Sequence, residues 1–277
     1  MDPLLHPRPV HAFEAGFVGH VLDDILGSGA RVYGISGPQG CGKSTLAAQL
    51  AGAAAARGLR LASVSIDDFY LDQAARQALA RDAHPLLATR GPPGTHDVGL
   101  ACATLDALRQ GSADLPRFDK LADRRLPRDA WPRLEGVDLV VLEGWFLAAP
   151  AQAEADLGAP INPLERDEDP DGRWRRWCNA ALERDYPPLW SRIDRLLYLQ
   201  APGFEVVPGW RWEQEQALRA ADPQRRGMDR AGVERFVCHF ERVTRHAMRE
   251  VPAIADLVVP LDARRRPLTP PRSSRAG

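Results

Sequence analysis

The chain has 277 residues, 44% hydrophobic and 26% charged, the composition of a soluble globular protein with room for one large α/β domain. A net charge of −1 leaves no electrostatic footprint for nucleic acid, no apolar run approaches a membrane span, and the first residues show no signal peptide. Four well-separated cysteines (Cys41, Cys102, Cys178, Cys238) contain no C-x-x-C pair, which argues against zinc or a disulfide framework, so a cytoplasmic location with neither membrane nor nucleic-acid partner is expected.

Residues 11–28 read as an amphipathic helix ending at the glycines 27 and 29, and 31–36 as a β-rich strand. A Gly-rich turn follows, then an Ala- and Leu-rich helix from Ser44 to about Arg57, with Gly58 as its stop signal. A second strand over 59–66 closes on Asp67-Asp68-Phe69-Tyr70. Helices are expected over about 72–82 and 98–110, flanking a loop rich in Gly and Pro at 90–97. Residues 137–142 form a buried-type strand that Glu143-Gly-Trp terminates. The Pro-, Asp- and Glu-bearing stretch 148–171 reads as a surface insertion, followed by helical material to about 190. A strand over 192–200 precedes Pro208 and Gly209, which interrupt the chain. Two polar helices then fill 210–250, joined near 223–228, and 256–260 is a last short strand. Strands alternating with helices imply a mostly parallel sheet covered on both faces. Residues 1–263 read as one domain, with a helical lid at about 203–250, and 264–277 as a disordered, Pro/Arg/Ser-rich tail.

The segment from Gly34 to Thr45 satisfies G-x-x-x-x-G-K-[ST], and it sits where that pattern has physical meaning, between a strand and a helix. Gly37, Pro38, Gln39, Gly40, Cys41, Gly42, Lys43, Ser44 and Thr45 are therefore assigned to nucleotide phosphates. Backbone N–H groups turn inward, the helix N-terminus adds partial positive charge, Lys43 reaches the terminal phosphates, and Ser44 ligates Mg²⁺. ATP and Mg²⁺ are the expected cofactors. In a parallel sheet, ligands gather at the carboxyl ends of the strands. Three strands there deliver Lys43 and Ser44, Asp67 and Asp68, and Glu143. Glu143 is the candidate second magnesium acid, and Asp138 lies at the wrong end of its strand. Asp67 is the candidate base for a hydroxyl attacking the γ-phosphate, whereas Asp68 is equally suited to capping the next helix. Only two of the 36 basic residues are lysines. Lys43 belongs to the loop, which marks Lys120 as a candidate for a similar point-charge role.

Strand, phosphate loop, helix, strand and Asp-Asp-Phe-Tyr together resemble the uridine-kinase/pantothenate-kinase/phosphoribulokinase group of small-molecule kinases. Arg90-Gly-Pro-Pro-Gly-Thr-His-Asp97, Leu115-Pro-Arg-Phe-Asp-Lys120, Glu143-Gly-Trp145 and Trp210-Arg-Trp-Glu-Gln-Glu215 resemble, in that order, the plant-type D-glycerate 3-kinase family and its fungal relatives. The resemblance covers about residues 30–250 and implies the three-layer P-loop NTPase sandwich with a mostly parallel central sheet and a helical lid. It implies an ATP-dependent kinase of a small hydroxy acid, with Asp67 and Lys43 catalytic. Tyr70, Arg90, His96, Arg117, Asp119 and Lys120 then fall on the acceptor, whose carboxylate calls for cationic partners. Arg211 in the lid, or Arg225 or Arg226 near Gly227, would close over the phosphates. Bland readings compete: Asp97 as the N-cap of the following helix, and Arg211 with Glu215 as an i,i+4 pair on an exposed helix. The chain departs from the family pattern at Leu121-Ala-Asp-Arg-Arg, where a Gly-Asp-Arg-type segment is usual. A uridine- or pantothenate-type acceptor is the alternative within the group. A nucleotide switch or assembly ATPase is a further one, although the guanine-reading Asn-Lys-x-Asp motif is absent.

Overall fold

The computed structural model describes residues 11–222 and 227–268, and the backbone of 272–273. In chain order the elements are α1 (Ala15–Ser28), β1 (Val32–Ser36), α2 (Lys43–Ala55), β2 (Leu61–Ser65), α3 (Gln73–Asp82), α4 (Val98–Arg109), β3 (Ser112–Asp114), β4 (Phe118–Asp119), β5 (Arg124–Arg125), β6 (Arg133–Glu135) and β7 (Leu139–Gly144). They continue with α5 (Pro163–Glu168), α6 (Arg173–Asp185), α7 (Pro187–Trp190), β8 (Arg195–Gln200), α8 (Val207–Ala221), α9 (Arg230–Ile254), β9 (Leu257–Pro260) and β10 (Arg272–Ser273). Among the described residues the main sheet runs β10-β9-β8-β1-β7-β2, parallel throughout except for β10.

The central strands β1 and β7 are buried along their whole length, which is why both read as unbroken apolar runs. At the edge, β2 alternates and is buried on one side only. One face of the sheet packs on α1 and α2 through Val21, Leu22, Ile25, Leu46 and Leu50. The other packs on α4, the α6–α7 segment and α9 through Leu105, Leu182, Tyr186, Phe240 and Val251. This is the expected three-layer sandwich. All five strands expected from the sequence are present, and no helix of the described residues is long and apolar enough to cross a membrane.

Four expectations are corrected. The stretch 148–171 is no mere surface insertion: Leu157, Leu164, Glu165 and Asp169 are buried. Both carboxylate oxygens of Glu165 accept from Arg242 of α9 at 2.7 Å, and Asp169 pairs with the buried Arg175 at 2.9 Å. Acidic composition concealed these ion pairs: Glu165 meets a partner 77 positions along the chain, and Asp169 is enclosed with Arg175 of the following helix. Removing one member strands the other in a dry site, so Arg242→Ala is expected to lower unfolding free energy by about 3–5 kcal/mol. Denaturant titration checks this, and a change below about 1 kcal/mol would contradict it.

Pro208 does not interrupt the chain. It lies in the first turn of α8, where its missing N–H costs nothing. The first helix begins at Ala15 rather than 11. Finally, the tail is ordered through Leu268. Asp262 caps a turn that places Arg265 in the interior, and the Leu268 N–H donates to Pro260 O at 2.9 Å. Residues 269–271 and 274–277 of that tail, and Arg225 and Arg226 of the expected lid, lie outside the described residues.

Candidate active site

The strand register builds the rim. Ile35 of β1 and Ser65 of β2 both pair with Glu143 of β7, so the phosphate loop after Ser36 and the acids after Ser65 flank that carboxylate. Ser44, in the first turn of α2, donates from Oγ to Glu143 Oε1 at 2.9 Å. Lys43 is buried and donates to Pro38 O at 2.9 Å, curling back over the loop and leaving further N–H donors for phosphate oxygens. Gly40 has φ +76°, and a Cβ there would lie 2.7 Å from Trp210 Cβ, so α8 closes on the loop only because this position is glycine. Gln39, Gly42 and Thr45 are half-buried along the loop, and Cys41 is fully buried with its thiol pushed up by that burial.

Ser65 opens the short 3₁₀ turn Ile66–Phe69 with a capping box: its hydroxyl accepts from Asp67 N, and Asp68 accepts from Ser65 N. Asp68 is thereby spent on structure, and its other partner is Arg117 at 3.0 Å. Asp67 instead faces the cleft. It accepts from Tyr70 Oη at 2.7 Å and from Lys120 Nζ at 2.6 Å. The two neighbours differ electrostatically. Burial raises Asp67, but the charge and hydrogen bond of Lys120 and the Tyr70 hydroxyl overcome this and hold it at about 2. Burial of Asp68 outweighs Arg117 and pushes it up to about 6. At neutral pH Asp67 is an accessible anion with a proton-accepting lone pair.

A small hairpin that the sequence did not announce delivers Lys120. Strands β4 and β5 pair antiparallel, and the turn between them is built on Asp119, which accepts from the N–H groups of Leu121 and Ala122. Asp119, expected on the acceptor, is thus a turn former. Asp123 closes the turn at φ +53° and takes Arg76 at 2.6 Å and Arg90 at 2.5 Å. Arg90 also stands 5.7 Å from the centre of the Phe118 ring, and Phe118 meets Tyr70 edge-on. The departure at Leu121-Ala-Asp-Arg-Arg therefore keeps its Asp-Arg core in a structural role, and Arg125 reaches Asp97 and Tyr70 O.

The loop 90–97 lies beside Tyr70. The Asp97 N–H donates to Phe69 O and the Leu71 N–H to Thr95 O, which lays the His96 ring tilted against that of Tyr70, their centres 4.9 Å apart. Gly94 sits at φ +88°, and a Cβ would come within 2.3 Å of the Trp177 ring. Asp97 accepts from Leu100 N and is the N-cap of α4, its bland reading. Asp67, Tyr70, Lys120, Arg117, Arg90 and His96 are thus gathered at one end of the sheet, as are Lys43, Ser44 and Glu143. Arg211, expected in the lid, pairs with Glu215 at 3.1 Å and lies 5.6 Å from the centre of the Phe236 ring. That pair is interior rather than exposed, since Glu215 is buried between α8 and α9.

Three participants escaped the sequence. Arg76 is fully buried and donates to Leu71 O and Ala88 O beneath the hairpin. Tyr186 reaches His96. Arg265, assigned to the tail, donates to Gly40 O of the phosphate loop at 2.7 Å, pairs with Glu213 and covers the Trp210 ring. With 34 arginines in the chain, nothing in the local sequence distinguished the two that matter here.

A phosphate loop, an acid beside its Ser, and a second acid facing a cationic pocket on the same rim define a small-molecule kinase of the P-loop class. A kinase of Schizosaccharomyces pombe, mug58, described as uncharacterized, is 33% identical over 227 residues, which cover 76% of this chain and 78% of the yeast protein. The chloroplastic D-glycerate 3-kinase of Arabidopsis thaliana is 33% identical over 223 residues, 76% of this chain and 46% of the plant protein, so the chain spans under half of that relative. The chain belongs to this family, the plant-type D-glycerate 3-kinases with their fungal relatives. A solved D-glycerate 3-kinase of Cryptococcus neoformans var. grubii matches with a TM-score of 0.73 and 27% identity, over 94% of this chain and 97% of that one. No family model matches.

Proposed function

We propose that this chain transfers the γ-phosphate of ATP to a hydroxyl of D-glycerate, and that it does so in the cytoplasm. The observation that carries the acceptor assignment is Asp67, a hydrogen-bonded carboxylate anion facing Lys120, with Arg117 anchored next door on Asp68. An ammonium has three donors, so Lys120 can hold Asp67 and an acceptor carboxylate at once. The acceptor hydroxyl would then lie against Asp67 with its oxygen toward the γ-phosphorus. As the new P–O bond forms and the bond to ADP breaks, the hydroxyl proton passes to Asp67. The transition state is loose and the proton leaves late, so a base held near 2 is adequate and its main task is orientation. Four unpaired cysteines suit the reducing compartment.

Ser44 and Glu143 would hold Mg²⁺. The described residues contain no cluster of three or more metal-binding side chains, and two hard oxygens suffice for an ion that takes its remaining ligands from phosphate and water. When bound, it would neutralise charge on the β- and γ-phosphates.

The test is steady-state ADP release with D-glycerate, uridine and pantothenate in turn. Turnover with D-glycerate is expected; turnover with another acceptor and none with D-glycerate would overturn the reading. A second prediction isolates Lys120. Removing the Lys120 cation leaves burial, the largest influence on Asp67, opposed mainly by the Tyr70 hydroxyl, so the carboxyl rises. In Lys120→Met the acid limb of kcat/KM is therefore expected to move upward from near pH 2, toward the ordinary carboxylate range. KM for glycerate should rise about tenfold or more. A pH profile from 4 to 8 that matches the parent protein would contradict this.

A further inference from the structure

Tyr186 is fully buried between α6 and α7, far in sequence from the acceptor loops. Its hydroxyl accepts from the Gly94 N–H at 2.9 Å and faces His96 Nδ1 at 2.7 Å. A phenol has a single proton. With the Gly94 amide donating to its oxygen and His96 its other partner among the described residues, the phenolic O–H is directed at Nδ1. The ring of His96 is buried, and that burial holds its pKa at about 4, so the imidazole is neutral at working pH. A neutral imidazole whose Nδ1 accepts carries its proton on Nε2. His96 Nε2 is itself buried, and it has no hydrogen-bond partner among the described residues. No described residue uses this N–H, although buried donors are almost always satisfied. The ring lies against Tyr70, whose hydroxyl is on Asp67.

We infer that Tyr186 is a positioning residue, which fixes the Nε2–H tautomer of His96 so that the acceptor meets a neutral hydrogen-bond donor beside Asp67. The inference rests on the acceptor-kinase reading above, and it specifies what the acceptor presents at that point: an oxygen lone pair, from a hydroxyl or a carboxylate. Neutrality matters. A histidinium would add a further cation beside Asp67 and pull its lone pair down, whereas a neutral N–H orients the acceptor and leaves the anion as Lys120 sets it. Such a site also discriminates, because an analogue lacking the oxygen leaves the donor stranded.

The experiment is nitrogen NMR of protein labelled with ¹⁵N-histidine, the His96 signals being assigned by their loss in His96→Gln. The native protein is expected to show an unprotonated Nδ1 and a protonated Nε2, and saturating D-glycerate should shift the Nε2 signal. In Tyr186→Phe the Nδ1–H tautomer should appear, with KM for glycerate raised about tenfold and KM for ATP within about twofold of native. His96→Gln, which can keep a donor near Nε2, should retain a KM within about threefold, and His96→Leu should not. An Nδ1–H tautomer in the native protein, an Nε2 signal indifferent to glycerate, or equal KM values for the Gln and Leu variants would each overturn the assignment. The native spectrum and the two His96 variants decide the matter even if Tyr186→Phe fails to fold. Absence of glycerate turnover in the native protein would sink the acceptor reading instead, while the tautomer could still be read.

Discussion

Asp67→Asn is expected to lower kcat by about 10²-fold or more while leaving the affinity for ATP within about twofold of native. The asparagine keeps the size of the side chain and can still meet Tyr70 and Lys120, which both contact Asp67 in the native protein. What it loses is the charge that balances Lys120 and, on the proposed mechanism, the lone pair that would take the acceptor proton. On the proposed reading the ATP contacts would belong to the loop between β1 and α2, a separate piece of the rim, so binding and transfer should separate. Rapid-quench kinetics together with calorimetric titration of ATP measure both quantities. Near-normal turnover in Asp67→Asn would remove Asp67 from the mechanism and leave Asp68, already engaged by Ser65 and Arg117, as a poor substitute.

Lys43→Ala is expected to act on both quantities at once, with kcat/KM for ATP falling by about 10²–10³-fold and ATP affinity falling with it. Lys43 projects from the first turn of α2, is buried, and is held over the loop by Pro38 O. Its ammonium is therefore preorganised where phosphate charge collects, and truncation replaces it with nothing. The same steady-state and calorimetric measurements check it. An unchanged ATP affinity would mean that the backbone N–H groups and the helix terminus carry the phosphates alone.

The donor half of this site was legible because its signals are local. The phosphate loop is contiguous, and the strands that bring Ser44 and Glu143 together are apolar runs whose ends can be read directly. Asp67 was legible for the same reason. The acceptor half was only partly so. Lys120 stood out as one of two lysines, and its loop was recognisable, but the hairpin that carries it pairs only two residues on each strand. So short a ladder leaves no hydrophobic period to detect. Asp119 was expected on the acceptor and builds a turn, since Asp at such a position satisfies backbone N–H groups whether or not a ligand is near, while Asp97 is the N-cap of its bland reading. Long-range electrostatics was the least legible. Glu165 with Arg242, Asp123 with Arg76, and Gly40 with Arg265 join residues between 47 and 225 positions apart, and each charge viewed alone looks like surface. That is how an acidic stretch came to be read as an insertion and an ordered turn as a tail.

The most direct measurement is the structure of the protein with D-glycerate and a non-hydrolysable ATP analogue. The acceptor hydroxyl oxygen should lie about 2.6–3.2 Å from an Asp67 carboxylate oxygen and point at the γ-phosphorus, with the glycerate carboxylate on Lys120 and Arg117. Glycerate seated away from Asp67, or with its carboxylate turned from both cations, would contradict the account.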